Sequence, residues 1–380
     1  MLKLLVALQS PLLIQISVYL LAALSLCLLC YYLGIFLRLI IYKSKRPPLM
    51  NIPVSVIVYA KNDAVSLEQT IPEIMAQEYE NFEVVVVDDH SCDNTDVVME
   101  EFQKKYPNLK FLDMSTSVTN IKGRKYPLSL AIKVSAYEHL LFTQADCLPT
   151  SKYWLQRMAS RFTSKKKIVL GYTTYPQGRG LFNFLLHYDA FHVGMQYFSY
   201  AVAHIPFMGL GQNLAYTKTL FLDNQGFSSH YHKSYGEDDL FVNEVAKKNN
   251  CAIECSAEAQ TVSTAIITPA SWLWDKRHHY TTRPNYKGLH RFLLDFYGIL
   301  NPLFYLSLAF AIWMSWYNLM WLLIALGIFV VKTAVMYTIF GLSAKKINEK
   351  GIIPYILLGD FLFSFLNPTL FIGSIFTKNK

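Results

Sequence analysis

The chain has 380 residues, 53% of them hydrophobic and only 16% charged, with 25 Tyr and 25 Phe. Soluble domains carry about 25% charged residues, so the composition excludes an ordinary soluble protein and points to membrane helices joined to one sizeable soluble domain. The formal net charge is +8, but the basic residues are dispersed or border apolar segments, as at Lys43, Lys45 and Arg46. That distribution suits a membrane surface and excludes nucleic acid as a partner.

Leu12 to Ile41 carries one charge, Arg38, and exceeds the about 20 apolar residues a spanning helix requires. No small-residue cleavage site follows, so it reads as a retained anchor with its basic flank in the cytoplasm. Of the six cysteines (Cys27, Cys30, Cys92, Cys147, Cys251, Cys255), Cys27 and Cys30 lie inside an apolar segment, and no two pairs have zinc-ribbon spacing. Reduced, mostly buried thiols fit a soluble part facing the cytosol.

From Pro53 to about Lys287 the pattern changes to alternating strands and helices. Val54 to Val58 is a strand, Ser66 to Gln77 a helix interrupted by Pro72, and Val84 to Val87 a second strand. Asp96 to Tyr106 is helical, Lys110 to Leu112 a short strand, Pro127 to Glu138 a helix, and His139 to Thr143 a strand. This order predicts a mostly parallel sheet with helices on both faces. Phe296 to Val331 has no charge and accommodates two short spans with a turn near Trp316-Tyr317-Asn318. The basic loop Lys345 to Lys350 places that side in the cytoplasm. Gly351 to Phe376 is apolar but interrupted by Asp360 and Asn367-Pro368, and it reads equally as a span, a re-entrant hairpin or an interfacial helix. The expected organisation is an anchor over 1–46, a catalytic domain over 47–290 and membrane or interfacial helices over 291–380.

The four valines Val84 to Val87 form a strand buried on both faces, and it delivers Asp88 and Asp89 at its carboxyl end, where ligands of open α/β sheets bind. Helix capping by Ser91 or Asp93 would require one polar residue. Asp88, Asp89, Ser91, Asp93, Asn94 and Thr95 crowd together, which favours a nucleotide site. Tyr59-Ala60-Lys61-Asn62-Asp63 follows the first strand and sits beside Asp88 and Asp89 if the two strands are neighbours; an ordinary polar loop is the alternative. Asp146, ending another strand, suits Mg²⁺ or Mn²⁺, hard cations that take one or two carboxylates plus substrate phosphates; a helix cap is an equal alternative. Glu237, Asp238 and Asp239 open a helix running to about Lys248. Acids there complement the helix dipole, but three exceed that need, and one of them suits a general base. Trp272 to Tyr280 mixes aromatics and cations, as an interfacial anchor or a lid over pyrophosphate. The aromatic stretches Leu181 to His187 and Phe191 to Tyr200 pack on the bilayer surface or in the core rather than binding a cofactor.

Together these features resemble the family 2 glycosyltransferases, whose domain has the GT-A fold, a Rossmann-like α/β architecture with a mostly parallel mixed sheet. The family's opening strand and A-x-N-E correspond to Val54 to Val58 with Ala60 to Asp63. Its V-D-D-x-S-x-D-x-T matches Val87 to Thr95, its basic G-K segment Gly123-Arg124-Lys125, its D-x-D Gln144-Ala145-Asp146, and its acceptor-side E-D Glu237-Asp238. Gln144 replaces the first acid of D-x-D. The Q-x-x-R-W of processive synthases is degenerate around Asp275 to Tyr280, where Arg277 or His278 stands for the arginine and His279 or Tyr280 for the tryptophan.

The resemblance implies an inverting, metal-dependent enzyme with a nucleotide-sugar donor, most often a UDP-sugar, and a lipid-linked or cell-envelope glycan acceptor. Ala60, Asn62, Asp63, Asp88, Asp89, Arg124, Lys125 and Gln144 would hold the donor nucleotide, Asp146 the cation, and Asp238 would be the general base. Gly211, Asn213, Glu237, Arg277, His278 and His279 would line the acceptor side or lid, with Gly209 and Gly211 allowing close approach of backbone to sugar. The implied location is the inner or plasma membrane, multi-pass and in contact with its lipids, with the catalytic domain cytoplasmic. A processive polysaccharide synthase is one alternative. A catalytically silent membrane scaffold is another, which loss of Asp146 or Asp238 would mark; both residues are present.

Overall fold

The structure, a computed structural model, describes residues 11–43, 51–115, 123–233, 235–266 and 268–376. Lys45 and Arg46 of the basic flank lie outside these residues. The chain opens with helix α1 (Pro11–Ile41). A seven-stranded sheet follows, built from β1 (Val54–Ala60), β2 (Phe82–Asp88), β3 (Leu109–Asp113), β4 (His139–Gln144), β6 (Ile168–Leu170), β8 (Leu214–Thr217) and β9 (Cys251–Ile253). Its order is β3-β2-β1-β4-β8-β6-β9. β3, β2, β1 and β4 pair in parallel, and β8 runs antiparallel to both β4 and β6. The expected mixed, mostly parallel sheet is thus present.

Every residue of β1 and β2 is buried, as both-face coverage by crossover helices requires. Those helices are α2 (Ala64–Met75), α3 (Thr95–Lys105) and α4 (Lys125–Val134). α2 continues through Pro72 rather than breaking there. α4 ends earlier than the expected Glu138, because the chain is drawn onto a buried polar pair. Ala136 N–H donates to the Glu83 carboxylate at 2.5 Å and Tyr137 N–H to Ser55 Oγ at 3.2 Å. The register sets Tyr59 opposite both Val87 and Gln144, and Ala60 opposite Asp88. The carboxyl ends of β1, β2 and β4 therefore finish along one edge.

A second, three-stranded sheet completes that edge. β5 (Cys147–Pro149), β10 (Thr261–Ser263) and β7 (Thr173–Thr174) lie in the order β5-β10-β7, with Ser263 opposite Cys147. The remaining elements are α5 (Trp154–Ala159), α6 (Leu181–Val202), α7 (Lys218–Asp223), α8 (Asp239–Val245) and α9 (Pro269–Thr282). α8 stops short of Lys248, at a turn in which Lys247 N–H donates to Asn250 Oδ1. The two aromatic stretches form the single helix α6, with Tyr188, Phe191, Tyr197, Phe198 and Tyr200 fully buried.

Three further long helices follow: α10 (Gly288–Ser315), α11 (Leu319–Lys346) and α12 (Ile356–Phe376), the last preceded by a 3-10 segment (Lys350–Tyr355). Among the described residues four helices, α1 and the three at the carboxyl side, are long and apolar enough to cross a membrane. The turn at Trp316 to Asn318 is where the sequence placed it, but both flanking helices are longer than expected. Asp360 does not interrupt α12; its carboxylate is buried against Lys332 of α11 at 2.9 Å. One hydrophobic core runs unbroken from Val85, Phe142 and Tyr216 of the sheet through α6 to Phe304 and Phe340 of the membrane helices. Burial of apolar surface thus fixes the α/β domain against these long apolar helices.

Candidate active site

One large cavity, of about 820 Å³, opens at the shared strand edge and runs along α9 to the membrane helices. At its first end stand Lys61, Asp63 and Asp89. Asp89 Oδ2 accepts from Tyr59 Oη at 2.7 Å and from Lys61 Nζ at 3.3 Å, while Oδ1 lies 3.0 Å from His90 Nδ1. Burial alone would raise the Asp89 pKa, but Tyr59, His90 and Lys61 outweigh it and hold the carboxyl below its ordinary value. Asp63 accepts from the backbone N–H of Lys61 at 3.0 Å, and burial raises its pKa.

Ala60, Asn62 and Asp88, three residues expected at the nucleotide, are engaged within the loops at the strand edge. Ala60 is fully buried and its carbonyl accepts from Asp89 N–H at 3.0 Å. Asn62 has φ +55°, and its Oδ1 accepts from Cys92 N–H at 2.7 Å, tying the loop after β1 to the loop after β2. Asp88 is buried and accepts from both the hydroxyl and the N–H of Ser91. The Asp pair is thus divided: Asp89 faces the cavity, and Asp88 supports it. Asp93 works as a local clamp, accepting from Thr95 N–H at 3.1 Å and Ala64 N–H at 3.0 Å.

Gln144 and Asp146 line the middle of the cavity. Asp146 is buried, and its hydrogen bonds all fall on Oδ2, from Ser263 Oγ, from Ala265 N–H at 3.3 Å and from Cys147 Sγ at 3.7 Å. The pairing of β5 with β10 positions it. Oδ1 takes none of these bonds. Among the described residues no group of three or more His, Cys, Asp or Glu is gathered to hold a metal. A lone carboxylate with one oxygen outside the hydrogen-bond set fits Mg²⁺ or Mn²⁺, which take their remaining ligands from water and substrate phosphates.

Across the cavity lie Glu237, Asp238 and Asp239, which differ in environment. Gly236 precedes them at φ +101°, where a Cβ would fall 2.4 Å from Leu240 Cδ1; only glycine fits this turn. Asp238 caps α8, Oδ1 accepting from Asp239 N–H at 2.6 Å, and its Oδ2 accepts from Gly211 N–H at 2.8 Å. Asp238 thus caps the helix whose start the sequence placed here, and the same carboxylate lines the cavity. Asp239 turns inward to Thr282 Oγ1 and Tyr286 Oη, the latter at 2.6 Å. Burial and the adjacent Asp238 raise the pKa of Glu237, opposed by Arg124 at 3.9 Å. Arg124 in turn stacks over the Tyr59 ring at 4.8 Å, so one chain of contacts links Asp89, Tyr59, Arg124 and Glu237 across the cavity floor.

Lys125 and Asn213 depart from expectation. Lys125 is buried, and Nζ donates to the carbonyls of His230 at 2.7 Å, Lys233 at 2.8 Å and Tyr235 at 2.8 Å. Burial pushes its pKa down to about 8. It anchors the histidine-rich loop. Asn213 is buried too; it accepts from Trp154 Nε1 and donates to the carbonyls of Tyr172 and Ala259. Gly209 is packed, since a Cβ there would press on Leu214 and Leu170, whereas a Cβ on Gly211 would meet only Asp238, at 3.5 Å. Only the second glycine fits a close approach of sugar.

On α9 the lid residues separate by face. His278 and His279 line the cavity, and Arg277 is exposed outside it. Burial lowers the His279 pKa, but Asp275, Asp238, Asp239 and Glu237 outweigh it and the net shift is upward. Sequence reasoning missed Asp189 of α6, which accepts from Trp272 Nε1 at 2.9 Å and from Lys276 Nζ. The spacing of Trp272 and Lys276, four apart on one helical face, was the available signal.

Residues 55–226 match the family described as Glycosyl transferase family 2. A poly-beta-1,6-N-acetyl-D-glucosamine synthase of Staphylococcus epidermidis is 28% identical over 111 residues, 29% of this chain and 25% of that protein. A poly(ribitol-phosphate) beta-glucosyltransferase of Bacillus spizizenii is 28% identical over 134 residues, 35% of this chain and 20% of that protein. The chain therefore matches about a quarter of the length of the first relative and a fifth of the second. Among solved structures, a mannosyltransferase from Pyrobaculum calidifontis in complex with GDP-Man and Mn²⁺ superposes with TM-score 0.54 at 17% identity, covering 90% of this chain and 98% of that one. At that identity the likeness bears on the fold. With the motif-bearing loops gathered around one cavity, residues 55–226 form a family 2 glycosyltransferase domain, and that domain has the GT-A fold.

Proposed function

We propose that the chain is an inverting glycosyltransferase that moves a sugar from a nucleotide-sugar donor, UDP-activated, to a lipid-linked or cell-envelope glycan acceptor. The observation that carries the reading is that Asp63 and Asp89, then Asp146, then Asp238 line one continuous cavity. Asp63, Asp89 and Tyr59 would hold the base and ribose. Asp146 would hold Mg²⁺ or Mn²⁺, which as a Lewis acid supplies positive charge to the departing diphosphate. Arg124 would add charge from the cavity floor. The acceptor hydroxyl attacks the anomeric carbon from the face opposite the diphosphate, and Asp238 takes its proton as the glycosidic bond forms and the carbon–oxygen bond to the diphosphate breaks. The single displacement inverts the anomeric centre.

The relative that makes a β-linked polymer supports an envelope glycan as product class. Four apolar helices and the shared core support a catalytic domain seated on the cytoplasmic face of the cell membrane, in contact with its lipids. Arg277, exposed and outside the cavity, does not complete the processive motif, which favours limited transfer over long-chain synthesis. Purified full-length protein is to be given a panel of UDP- and GDP-sugars with and without Mn²⁺ or Mg²⁺, scoring nucleoside diphosphate release. Metal-dependent release from a UDP-sugar is the expected result. Release from none rejects the reading.

A further inference from the structure

The cavity does not end at Asp238 but continues between α6, α10 and α12, into the helices that are long and apolar enough to span the membrane. Its inner wall there is polar: Tyr188, Asn301, Asp360, Ser364 and Asn367 line it. The charge in this wall is already balanced. Asp360 pairs with Lys332 at 2.9 Å and accepts from Asn301 Nδ2 at 3.0 Å. The second Nδ2 bond of Asn301 goes to Ser364 Oγ at 2.7 Å. The unpaired atoms of this wall are neutral; Arg283 Nε, also unpaired and lining the cavity, belongs to a guanidinium already paired with Asp295 at 2.9 Å. Asn301 Oδ1, Asn367 Oδ1 and the hydroxyl of Tyr188 are buried without a hydrogen-bond partner, and Tyr188 and Asn301 are 0% and 5% exposed.

A buried polar atom left unpaired costs about 1–3 kcal/mol, and polar groups within membrane helices are expensive and functional by default. Two amide carbonyls require O–H or N–H donors, and a phenol both donates and accepts. A charged ligand would meet no uncompensated counter-charge here. Aromatic rings flank the site, Tyr188 against Phe363 at 5.0 Å and Trp272 against Phe363 at 6.2 Å, offering apolar faces to the C–H faces of a sugar ring. We propose that this inner end is a carbohydrate subsite, in which Tyr188, Asn301 and Asn367 hold the hydroxyl groups of a neutral sugar unit of the acceptor. This rests on the glycosyltransferase reading, in that the sugar held here belongs to the acceptor deprotonated at Asp238.

The test uses the full chain in lipid nanodiscs. Binding of a panel of neutral di- to tetrasaccharides of glucose, mannose and N-acetylglucosamine is followed by saturation-transfer NMR, beside calorimetric binding of UDP and GDP. Tyr188→Phe and Asn367→Leu, alone and combined, remove unpaired polar groups while keeping the side-chain shape. At least one oligosaccharide should bind, and the double variant should weaken it by about tenfold, the loss expected for two hydrogen bonds, with nucleotide binding unchanged as the check on folding. Binding by no member of the panel, or binding untouched by the double variant, overturns the subsite. Failure of the wild-type chain to bind either nucleotide would strike the glycosyltransferase reading instead, leaving the oligosaccharide result legible on its own.

Discussion

Asp238 Oδ2 accepts a hydrogen bond from the backbone N–H of Gly211 at 2.8 Å. The contact joins the start of α8 to the loop before β8, and it fixes a carboxylate in the cavity wall. A side chain at residue 211 would sit over this carboxylate, though not in collision with it. Gly211→Ala should therefore fold normally and raise the acceptor KM by several-fold, with donor affinity unchanged in calorimetry. An unaltered acceptor KM would move the acceptor away from this loop.

Asp146 is the lone carboxylate proposed to carry the cation. Asp146→Asn keeps the shape and the backbone contacts but removes the charge. Transfer at saturating Mn²⁺ should fall by about 10²-fold or more, the scale of losing an electrostatic stabiliser of the leaving group. Activity near that of the parent at the same metal concentration would remove Asp146 from the site.

Lys125 separates a structural cation from a phosphate-binding one. Its Nζ satisfies three carbonyls of the loop at His230 to Tyr235. Lys125→Met should cost on the order of 3 kcal/mol through carbonyls left buried and unpaired, lowering Tm, while the donor Kd stays within about twofold. A large loss of donor affinity with Tm unchanged would restore Lys125 to the nucleotide site.

The loop between the last two membrane helices is clasped to the catalytic domain by Glu349, which accepts from Tyr172 Oη at 3.1 Å and lies 3.1 Å from His187 Nδ1. Burial lowers the His187 pKa, but Glu349 outweighs it, and the folded value lies above the ordinary 6.5. A histidine whose pKa is raised on folding contributes stability that is complete below its unfolded pKa and lost as pH rises through the folded value. Thermal unfolding followed from about pH 5.5 to about pH 9 should therefore show a component declining above about pH 6.5. His187→Gln should flatten that component. The same decline in the variant would assign it to another group.

That Asp88, Asp89 and Asp146 reach the sheet edge was legible in the sequence because it rests on local features. A run of valines ending in Asp88 and Asp89 needs only strand polarity to place a carboxylate at the sheet edge, and Asp146 likewise. Which acid of each group faces the cavity was less legible. Asp88 and Asp89 are distinguished by Ser91 and Tyr59, and Asp238 and Asp239 by Gly211 against Thr282 and Tyr286. Those partners are tertiary, set by packing between elements far apart in the chain. The buried carbonyls that hold Lys125 and Asn213 were hidden for the same reason, since a polar residue in a motif-like position looks identical in sequence whether it meets a ligand or a buried carbonyl. The pairing of Lys332 with Asp360, which turns an apparent break into a span, also joins two separate helices.

The central claim is that Asp238 deprotonates the acceptor, beyond capping α8. Its direct test is Asp238→Asn, with donor affinity measured by calorimetry and the transfer step by single-turnover kinetics. A capping carboxylate contributes about 0.5–2 kcal/mol of stability and leaves chemistry intact. A general base accounts for about 10²–10⁴-fold in rate. The predicted result is a rate reduced within that range with donor binding preserved. An unchanged single-turnover rate would contradict the account.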